Sequence, residues 1–281
     1  MSETDKLKEI AKELRIDILK MLHKAKSGHT GGSLSCIDIL TTLYFSKMRS
    51  KRDDPAWPER DRFVLSKGHA APALYAVLAR LGYCCREDLM TLRQVGSKLQ
   101  GHPDCKSIPG IEVSTGSLGQ GLSMANGMAL AMKLDKKQSR IYCLLGDGEC
   151  QEGQVWEAAM TAAHYRLDNL CAIVDNNGLQ IDGAVKDVMG LEPLGEKWKA
   201  FGWNVLSADG HDFDSLISAL DKAEEAKGQP TMIVARTVKG KGVSIFEGGG
   251  RIPAMNPAGK GDLRIARTVL ALGPVRAVAK A

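Results

Sequence analysis

Four short runs of apolar residues alternate with longer amphipathic stretches in the second half of the chain. The runs occupy residues 141–145, 170–174, 203–207 and 232–236, and each ends near Gly, Asp or Asn. Between them, residues 153–166 and 212–226 carry apolar side chains at the three- and four-residue spacing of helices. This alternation predicts an α/β fold: a mostly parallel sheet flanked by helices and joined by right-handed crossovers.

The first 135 residues are predicted to be mainly helical. Apolar residues near the N-terminus recur at helical spacing, at Leu7, Ala11, Leu14, Ile18 and Met21. Further helices are predicted over residues 34–45, 71–81 and 118–134. The connections between these helices are rich in Gly, Pro and His, and loops of this kind are where functional residues concentrate.

Composition is that of an ordinary globular protein and excludes several classes. The 281 residues are 44% hydrophobic and 25% charged, and no apolar run is long enough to span a membrane. The N-terminus lacks the features of a signal peptide, so we expect a cytoplasmic protein. The seven cysteines contain no C-x-x-C pair, which indicates reduced structural thiols and neither a zinc site nor a disulfide framework.

Charge separates the end of the chain from the rest. Residues 247–281 contain six basic and two acidic residues, although the whole chain has a net charge of only +5. The remainder is therefore close to neutral, which argues against a nucleic-acid-binding surface. We predict one domain over residues 1–246, which binds the cofactor inferred below, and an atypical basic tail over residues 247–281.

Two short motifs follow neighbouring predicted strands and indicate a metal site. Gly-Asp-Gly at 146–148 and Asn-Asn-Gly at 176–178 place Asp147 and Asn177 just past strand ends, 30 residues apart. Ligands of open parallel sheets bind at the carboxyl ends of the strands. One charged and one neutral oxygen donor suit Mg²⁺, which usually shares its coordination sphere with phosphate oxygens and water. Glycines beside Asp147 let the backbone approach a diphosphate closely.

Six ordered motifs resemble those of transketolases, which bind thiamine diphosphate and Mg²⁺. They are SGHTGGS at 27–33, SKGH at 66–69, GHP at 101–103, TGSLGQG at 115–121, GDGECQEG at 146–153 and DNNGLQIDG at 175–183. The resemblance covers about residues 5–246. It implies a transferase that moves a two-carbon ketol unit from a ketose phosphate to an aldose phosphate, as in pentose phosphate metabolism.

The resemblance also implies roles for individual residues near the cofactor. Asp147 and Asn177 would bind Mg²⁺ through side-chain oxygens, and Leu179 through its backbone carbonyl. The cofactor-binding residues would be Gly116 and Gly148, which lie against it, and Leu118 and Ile181, which flank its thiazolium ring. Glu152 matches a family glutamate close to the cofactor, at the interface between paired domains.

Three loop histidines are predicted to be catalytic. His29, His69 and His102 each follow a glycine, and an ordinary histidine pKa suits proton transfer and bonding to sugar hydroxyls. In transketolases the corresponding residues line the channel to the reactive carbon of the cofactor. His23, His164 and His211 lack this context and are assigned no role.

The chain departs from the family in two respects. Full-length transketolases continue with a pyrimidine-binding domain, so the resemblance implies a separate partner subunit that supplies it, in a heterotetramer of two copies of each chain. After Lys-Gly-Lys-Gly at 239–242, the family's usual His-Gly element is missing, and His211 is the last histidine. A frameshift and natural divergence are the two explanations for the tail.

Other functions stay open at this stage. The nearest alternative is a subunit of another thiamine diphosphate enzyme, such as a deoxyxylulose-phosphate synthase-like or 2-oxoacid-decarboxylating one, and a non-catalytic cofactor-binding protein is a further alternative. A split transketolase acting on an unusual sugar phosphate is also compatible with the motifs. The Lys-Gly-Lys-Gly segment is either a phosphate contact or a solvated basic turn.

Overall fold

A computed structural model describes residues 1–181, 183–244 and 246–247. Its strands, numbered along the chain, are β1 (Arg62–Leu65), β2 (Ile141–Gly146), β3 (Leu170–Asn176), β4 (Leu179–Gln180), β5 (Gly183–Ala184), β6 (Asn204–Asp209) and β7 (Thr231–Arg236). Five of them form a parallel sheet in the order β1-β2-β3-β7-β6. The short strands β4 and β5 pair antiparallel beside it.

The helices of the described residues cover both faces of this sheet. They are α1 (Glu3–Ala25), α2 (Thr30–Ser35), α3 (Ile37–Thr42), α4 (Ala71–Leu81), α5 (Gln120–Leu134), α6 (Gly153–His164), α7 (Val185–Val188), α8 (Leu194–Ala200) and α9 (Phe213–Glu225). Helix α3 continues into a π-helical turn at Leu43–Lys47, and 3₁₀ turns occur at Gly68–Ala70, Arg86–Thr91 and Gly148–Gln151.

Local sequence explains where the helices begin and end. The Ser2 hydroxyl accepts from the Asp5 N–H, and the Asp5 carboxylate accepts from the Ser2 N–H, so a capping box starts α1. Helix α4 has a proline in its first turn, where a missing N–H costs no hydrogen bond. It ends at Gly82, whose φ of 86° is easily reached only without a Cβ.

Alternate residues of each strand face two separate hydrophobic clusters. Phe63, Tyr142 and Ile173 pack with α1, α3, α4 and α9 on one face of the sheet. Val64 and Cys143 point to the opposite face, where they pack with α5, α6 and α8. The inner strands are therefore buried on both sides, as expected for a parallel sheet between two helical layers.

The parallel register brings the carboxyl ends of all five strands to one edge. Gly146 of β2 pairs with Asp175 of β3, and Asn176 of β3 pairs with Arg236 of β7. Residues just beyond these strand ends are therefore neighbours. The SKGH, GDG and DNN motifs, distant in sequence, meet along this edge.

The predicted fold class is confirmed, and so is the mainly helical character of the first 135 residues, but one predicted helix was wrong. Residues 62–65 form β1, a strand that was not predicted and that pairs with β2. The helix predicted over residues 34–45 is interrupted at Cys36, between α2 and α3. No helix of the described residues has the length and hydropathy of a membrane span. The basic tail, and with it the frameshift question, lies outside the described residues except Glu247.

Candidate cofactor and metal site

Asp147 and Asn177 lie next to each other at the ends of β2 and β3. One Asp147 carboxylate oxygen accepts from the Gly148 N–H at 2.7 Å, and the other accepts from the Gly178 N–H at 2.6 Å. The Asn177 side-chain oxygen accepts from the Leu179 N–H at 3.1 Å. The structure therefore brings the three predicted metal ligands into one turn system.

The Asp147 carboxyl is 3% exposed, and its surroundings disfavour the charged form. Burial, followed by the negative charge of Asp175, raises the pKa of Asp147 to about 6. A divalent cation bound here would offset both effects. A buried carboxylate beside a neutral amide oxygen is thus a donor set that fits Mg²⁺.

A buried ion pair lies directly beneath this turn. Lys67 is 2% exposed and Asp175 is fully buried; they form a short salt bridge. Although burial alone would raise the pKa of Asp175, the Lys67 charge and hydrogen bonds from Ser35 and Thr237 lower it. Lys67 also donates to the Gly32 carbonyl at 2.9 Å. The pair therefore joins the ends of β1, β3 and β7 to the SGHTGGS loop.

A third buried carboxylate, Glu149, connects the other motifs. It is 2% exposed and accepts hydrogen bonds from Ser66, Gly119 and Gly146. Sequence reasoning passed over Lys67, Asp175 and Glu149, although all three lie inside the motifs quoted above. Their burial was the missing signal, because a charged residue in a loop motif looks like a ligand contact or a surface residue until its partners are known.

The three predicted catalytic histidines come together above the sheet edge. The rings of His29 and His69 have centroids 5.1 Å apart in an edge-to-face arrangement. Burial, together with the Lys67 charge, lowers the pKa of His69 to about 3, so this imidazole is neutral at physiological pH. The His102 ring lies beside Gly116, where an added Cβ would meet it at 3.0 Å.

Arg93 connects the loops that carry these histidines and was also missed from sequence. It donates to the Ser27 hydroxyl at 2.8 Å, and an added Cβ on Gly101 would lie 3.0 Å from its Nε. After burial, its charge is the main cause that lowers the pKa of His29 and His102. Its backbone φ of 60° is unusual for a residue with a side chain.

His211, which had been assigned no role, is held in a structural contact. Its Nε2 accepts from the Val238 N–H at 2.8 Å, so its Nδ1 carries the proton and donates to Asp38 at 2.8 Å. Nearby, Lys239 donates to the Ile181 carbonyl at 3.1 Å, and Lys241 pairs with Glu247. The Lys-Gly-Lys-Gly segment therefore contacts Ile181, one of the predicted cofactor contacts, and is not simply a solvated turn.

The four predicted cofactor contacts, Gly116, Leu118, Gly148 and Ile181, are here called the cradle. Gly116 has a φ of 150°, which residues with a side chain rarely adopt, and an added Cβ on Gly148 would lie 3.0 Å from Gln180, so neither position has room for a side chain. Leu118 is 36% exposed and Ile181 is 86% exposed, the latter with a φ of 46° that is rare for a β-branched residue. Glu152 is exposed at the N-terminus of α6. These features fit thiamine diphosphate: a polar, glycine-lined end and an apolar end.

A doubly covered parallel sheet, with oxygen donors and glycine turns at its carboxyl edge, defines a cofactor-binding α/β protein that takes a diphosphate-bearing ligand. Residues 6–278 match the family described as transketolase, thiamine diphosphate binding domain. The chain belongs to this family. The transketolase family and the thiamine diphosphate-binding domain predicted from the motifs are thereby confirmed.

Similar proteins include both split and single-chain transketolases. The chain is 50% identical over 242 residues to the 6-deoxy-6-sulfo-D-fructose transketolase subunit of Clostridium sp. (strain MSTE9), covering 86% of this chain and 88% of that one. It is 48% identical over 231 residues to an apulose-4-phosphate transketolase subunit of Phocaeicola vulgatus, covering 82% of each. The crystal structure of Campylobacter jejuni transketolase superposes with a TM-score of 0.86 at 36% identity, over 95% of this chain but only 43% of that one.

Proposed function

We propose that this chain is the metal- and diphosphate-binding subunit of a two-chain transketolase. It would transfer a two-carbon ketol unit from a ketose phosphate to an aldose phosphate, with Mg²⁺ and thiamine diphosphate. The observation that carries this proposal is the proximity of Asp147 to Asn177 at adjacent strand ends, where the Asp147 carboxylate accepts from the N–H of Gly178, the residue after Asn177.

Asp147 and Asn177 would hold Mg²⁺ through their side-chain oxygens, and Leu179 through its carbonyl. Gly148 and Gly116 would lie against the cofactor, with Leu118 and Ile181 on either side of its thiazolium ring. The bound cofactor would supply the electron sink that ketol cleavage and transfer require. The protein's contribution is to place donors and acceptors around the reacting carbons.

The histidines would bind sugar hydroxyls and move protons. The buried His69 is neutral, so one ring nitrogen accepts while the other donates a hydrogen bond. The rings of His29 and His69 are in contact, and His102 lies beside Gly116, so the three histidines lie on one side of the cradle. The Arg93 charge next to them favours an anionic substrate.

The partner would be a separate C-terminal transketolase subunit carrying the pyrimidine-binding domain, in a heterotetramer. Two relatives are named as subunits, and the Campylobacter jejuni transketolase has more than twice the length matched here. Glu152 and Ile181 are exposed at the cradle, where contacts from a second chain would cover them. The cytoplasmic location and a place in pentose phosphate metabolism remain part of this proposal.

The donor sugar is a further part of the proposal. The two split relatives are named for apulose 4-phosphate and for 6-deoxy-6-sulfo-D-fructose, so both belong in a donor screen with ordinary ketose phosphates and pyruvate. Ketol transfer from any of the three sugar classes supports a transketolase. Turnover of pyruvate alone would assign a different thiamine diphosphate enzyme.

The test is reconstitution. The purified chain is mixed with its partner, Mg²⁺ and thiamine diphosphate, and ketol transfer is followed with each donor. We expect turnover by the mixture and none by either chain alone. Full activity of this chain by itself would refute the partner requirement, and cofactor binding without turnover of any donor would indicate a non-catalytic binding protein.

A further inference from the structure

Glu149 occupies the 3₁₀ turn directly after β2 and is buried without a salt-bridge partner among the described residues. One of its oxygens, Oε1, accepts from the Ser66 hydroxyl at 2.5 Å and from the Gly119 N–H at 2.9 Å. The other, Oε2, accepts from the Gly146 N–H at 3.0 Å. Three donors from three different segments therefore converge on one carboxylate.

Each of these donors belongs to a segment that carries a site residue. Ser66 is three residues before His69, and Gly146 immediately precedes Asp147. Residues 116–119 are here called the glycine loop. This loop contains Gly116, and its last residue, Gly119, leads into helix α5. In the part of the chain that the structure describes, the Gly119–Glu149 bond is the hydrogen bond that ties the glycine loop to the end of β2.

We propose that Glu149 is a positioning residue that sets the distance between the glycine loop and the metal-binding turn, and thereby the affinity for thiamine diphosphate. The inference deepens the proposed function and rests on it. Glu149 is buried, and it would act through its hydrogen bonds to the backbone of Gly119 and Gly146.

Physical reasons favour this role over simple filling of the core. Burying a carboxylate is costly, and an apolar side chain would fill the space without that cost. A carboxylate has two oxygens that only accept hydrogen bonds, so it can satisfy two backbone N–H groups and a hydroxyl at once. Such charge-assisted bonds are short, so they fix the three segments within a narrow range of distances.

Glu149→Gln tests the proposal because it preserves size and removes one acceptor. Its amide must point a donor at either the Gly146 or the Gly119 N–H. Thiamine diphosphate binding is measured by calorimetry at saturating Mg²⁺, with the partner subunit present. We expect the dissociation constant to rise about 10- to 100-fold, with kcat at saturating cofactor reduced much less.

Glu157→Gln is the matched control, because it removes the same charge from an exposed position on α6 and should leave the dissociation constant unchanged. Ser66→Ala removes one donor and should weaken binding less than Glu149→Gln. In the double variant the two effects should not add, since Ser66 acts through Glu149.

The outcomes separate the two proposals. If the wild-type complex takes up no cofactor, the proposed function fails. If the wild type binds and Glu149→Gln binds equally well, even with a lowered melting temperature, Glu149 supports only the fold and the inference is overturned. Should Glu149→Gln fail to unfold cooperatively, Ser66→Ala decides: unchanged cofactor affinity rejects the inference, and weakened affinity supports it.

Discussion

The two sides of the site differ in how completely this chain builds them. Beneath the sheet edge, the inner network (Lys67, Glu149 and Asp175) is buried, and its charges are satisfied by neighbouring strands and loops. At the cradle, the rim (Leu118, Glu152, Ile181, Val188 and Met189) is exposed, with Ile181, Val188 and Met189 each more than half accessible. The fold therefore completes the half that is proposed to receive metal and diphosphate and leaves the other half exposed.

This difference explains why a single chain would bind part of a cofactor yet need a second chain for chemistry. Buried polar networks have one well-determined geometry, and they preorganise ligands. Exposed apolar side chains around a ligand cradle are typical of a surface that another protein covers. Variants on the two sides should therefore behave differently, in ways that can be measured.

The largest effect is expected at the metal. Asp147→Ala removes the proposed charged metal ligand and should cost several kcal/mol of cofactor binding, about 10³-fold in the dissociation constant. Equilibrium dialysis with Mg²⁺ and thiamine diphosphate, in the presence of the partner, measures it. A variant that retains wild-type affinity would show that the ion lies elsewhere.

The inner network should be essential for stability. Lys67→Met leaves the buried Asp175 carboxylate without its cation, and we expect the free energy of unfolding to fall by about 3–5 kcal/mol. Urea denaturation measures this, with the exposed Lys98→Met as control, expected within about 0.5 kcal/mol of wild type. Equal stability of the two variants would contradict a structural ion pair.

At the histidines the effect should be kinetic. His69→Gln should lower kcat/KM about 10²-fold in the reconstituted complex, while the exposed His164→Gln should not. Because the pKa of His69 is about 3, its protonation should not appear in a pH–rate profile between about pH 6 and 8. An unchanged kcat/KM would remove His69 from the reaction.

The smallest effect is expected on the rim. Ile181→Ala should leave the stability of the isolated chain nearly unchanged, because the side chain is 86% exposed. In the complex it should weaken cofactor binding by about 1 kcal/mol, roughly fivefold, through lost apolar contact. The loop variant Val95→Ala, fully exposed away from the cradle, is the control. A large loss of stability in the isolated chain would place Ile181 in the core instead.

Much of the α/β half could be predicted because its elements are long and strongly periodic. Strands β2 and β3 and helix α6 begin at the predicted residues, and in the N-terminal half helix α4 begins and ends where the pattern placed it. Strand β1 was missed because Phe63, Val64 and Leu65 are too short an apolar run to indicate a strand without β2 beside them. The break at Cys36 carries no Pro, and the neighbouring apolar residues continue through it.

The motif residues of the site were found, whereas the contacts that position them were not. Ser66 and Glu149 are 83 residues apart in sequence, and Lys67 and Asp175 are 108 apart. Such pairings depend on strand order, and the order β1-β2-β3-β7-β6 is not contained in local periodicity. The roles of the histidines, of Glu152 and of the metal ligands remain predictions.

One carboxylate and one amide at adjacent strand ends are proposed to bind the ion that anchors the cofactor. Calorimetric titration of thiamine diphosphate into the complex of this chain with its partner, with and without Mg²⁺, tests this proposal most directly. We predict saturable binding that requires Mg²⁺ and is lost in Asp147→Ala and in Asn177→Ala. Cofactor uptake that is indifferent to Mg²⁺ and to both substitutions would contradict the account.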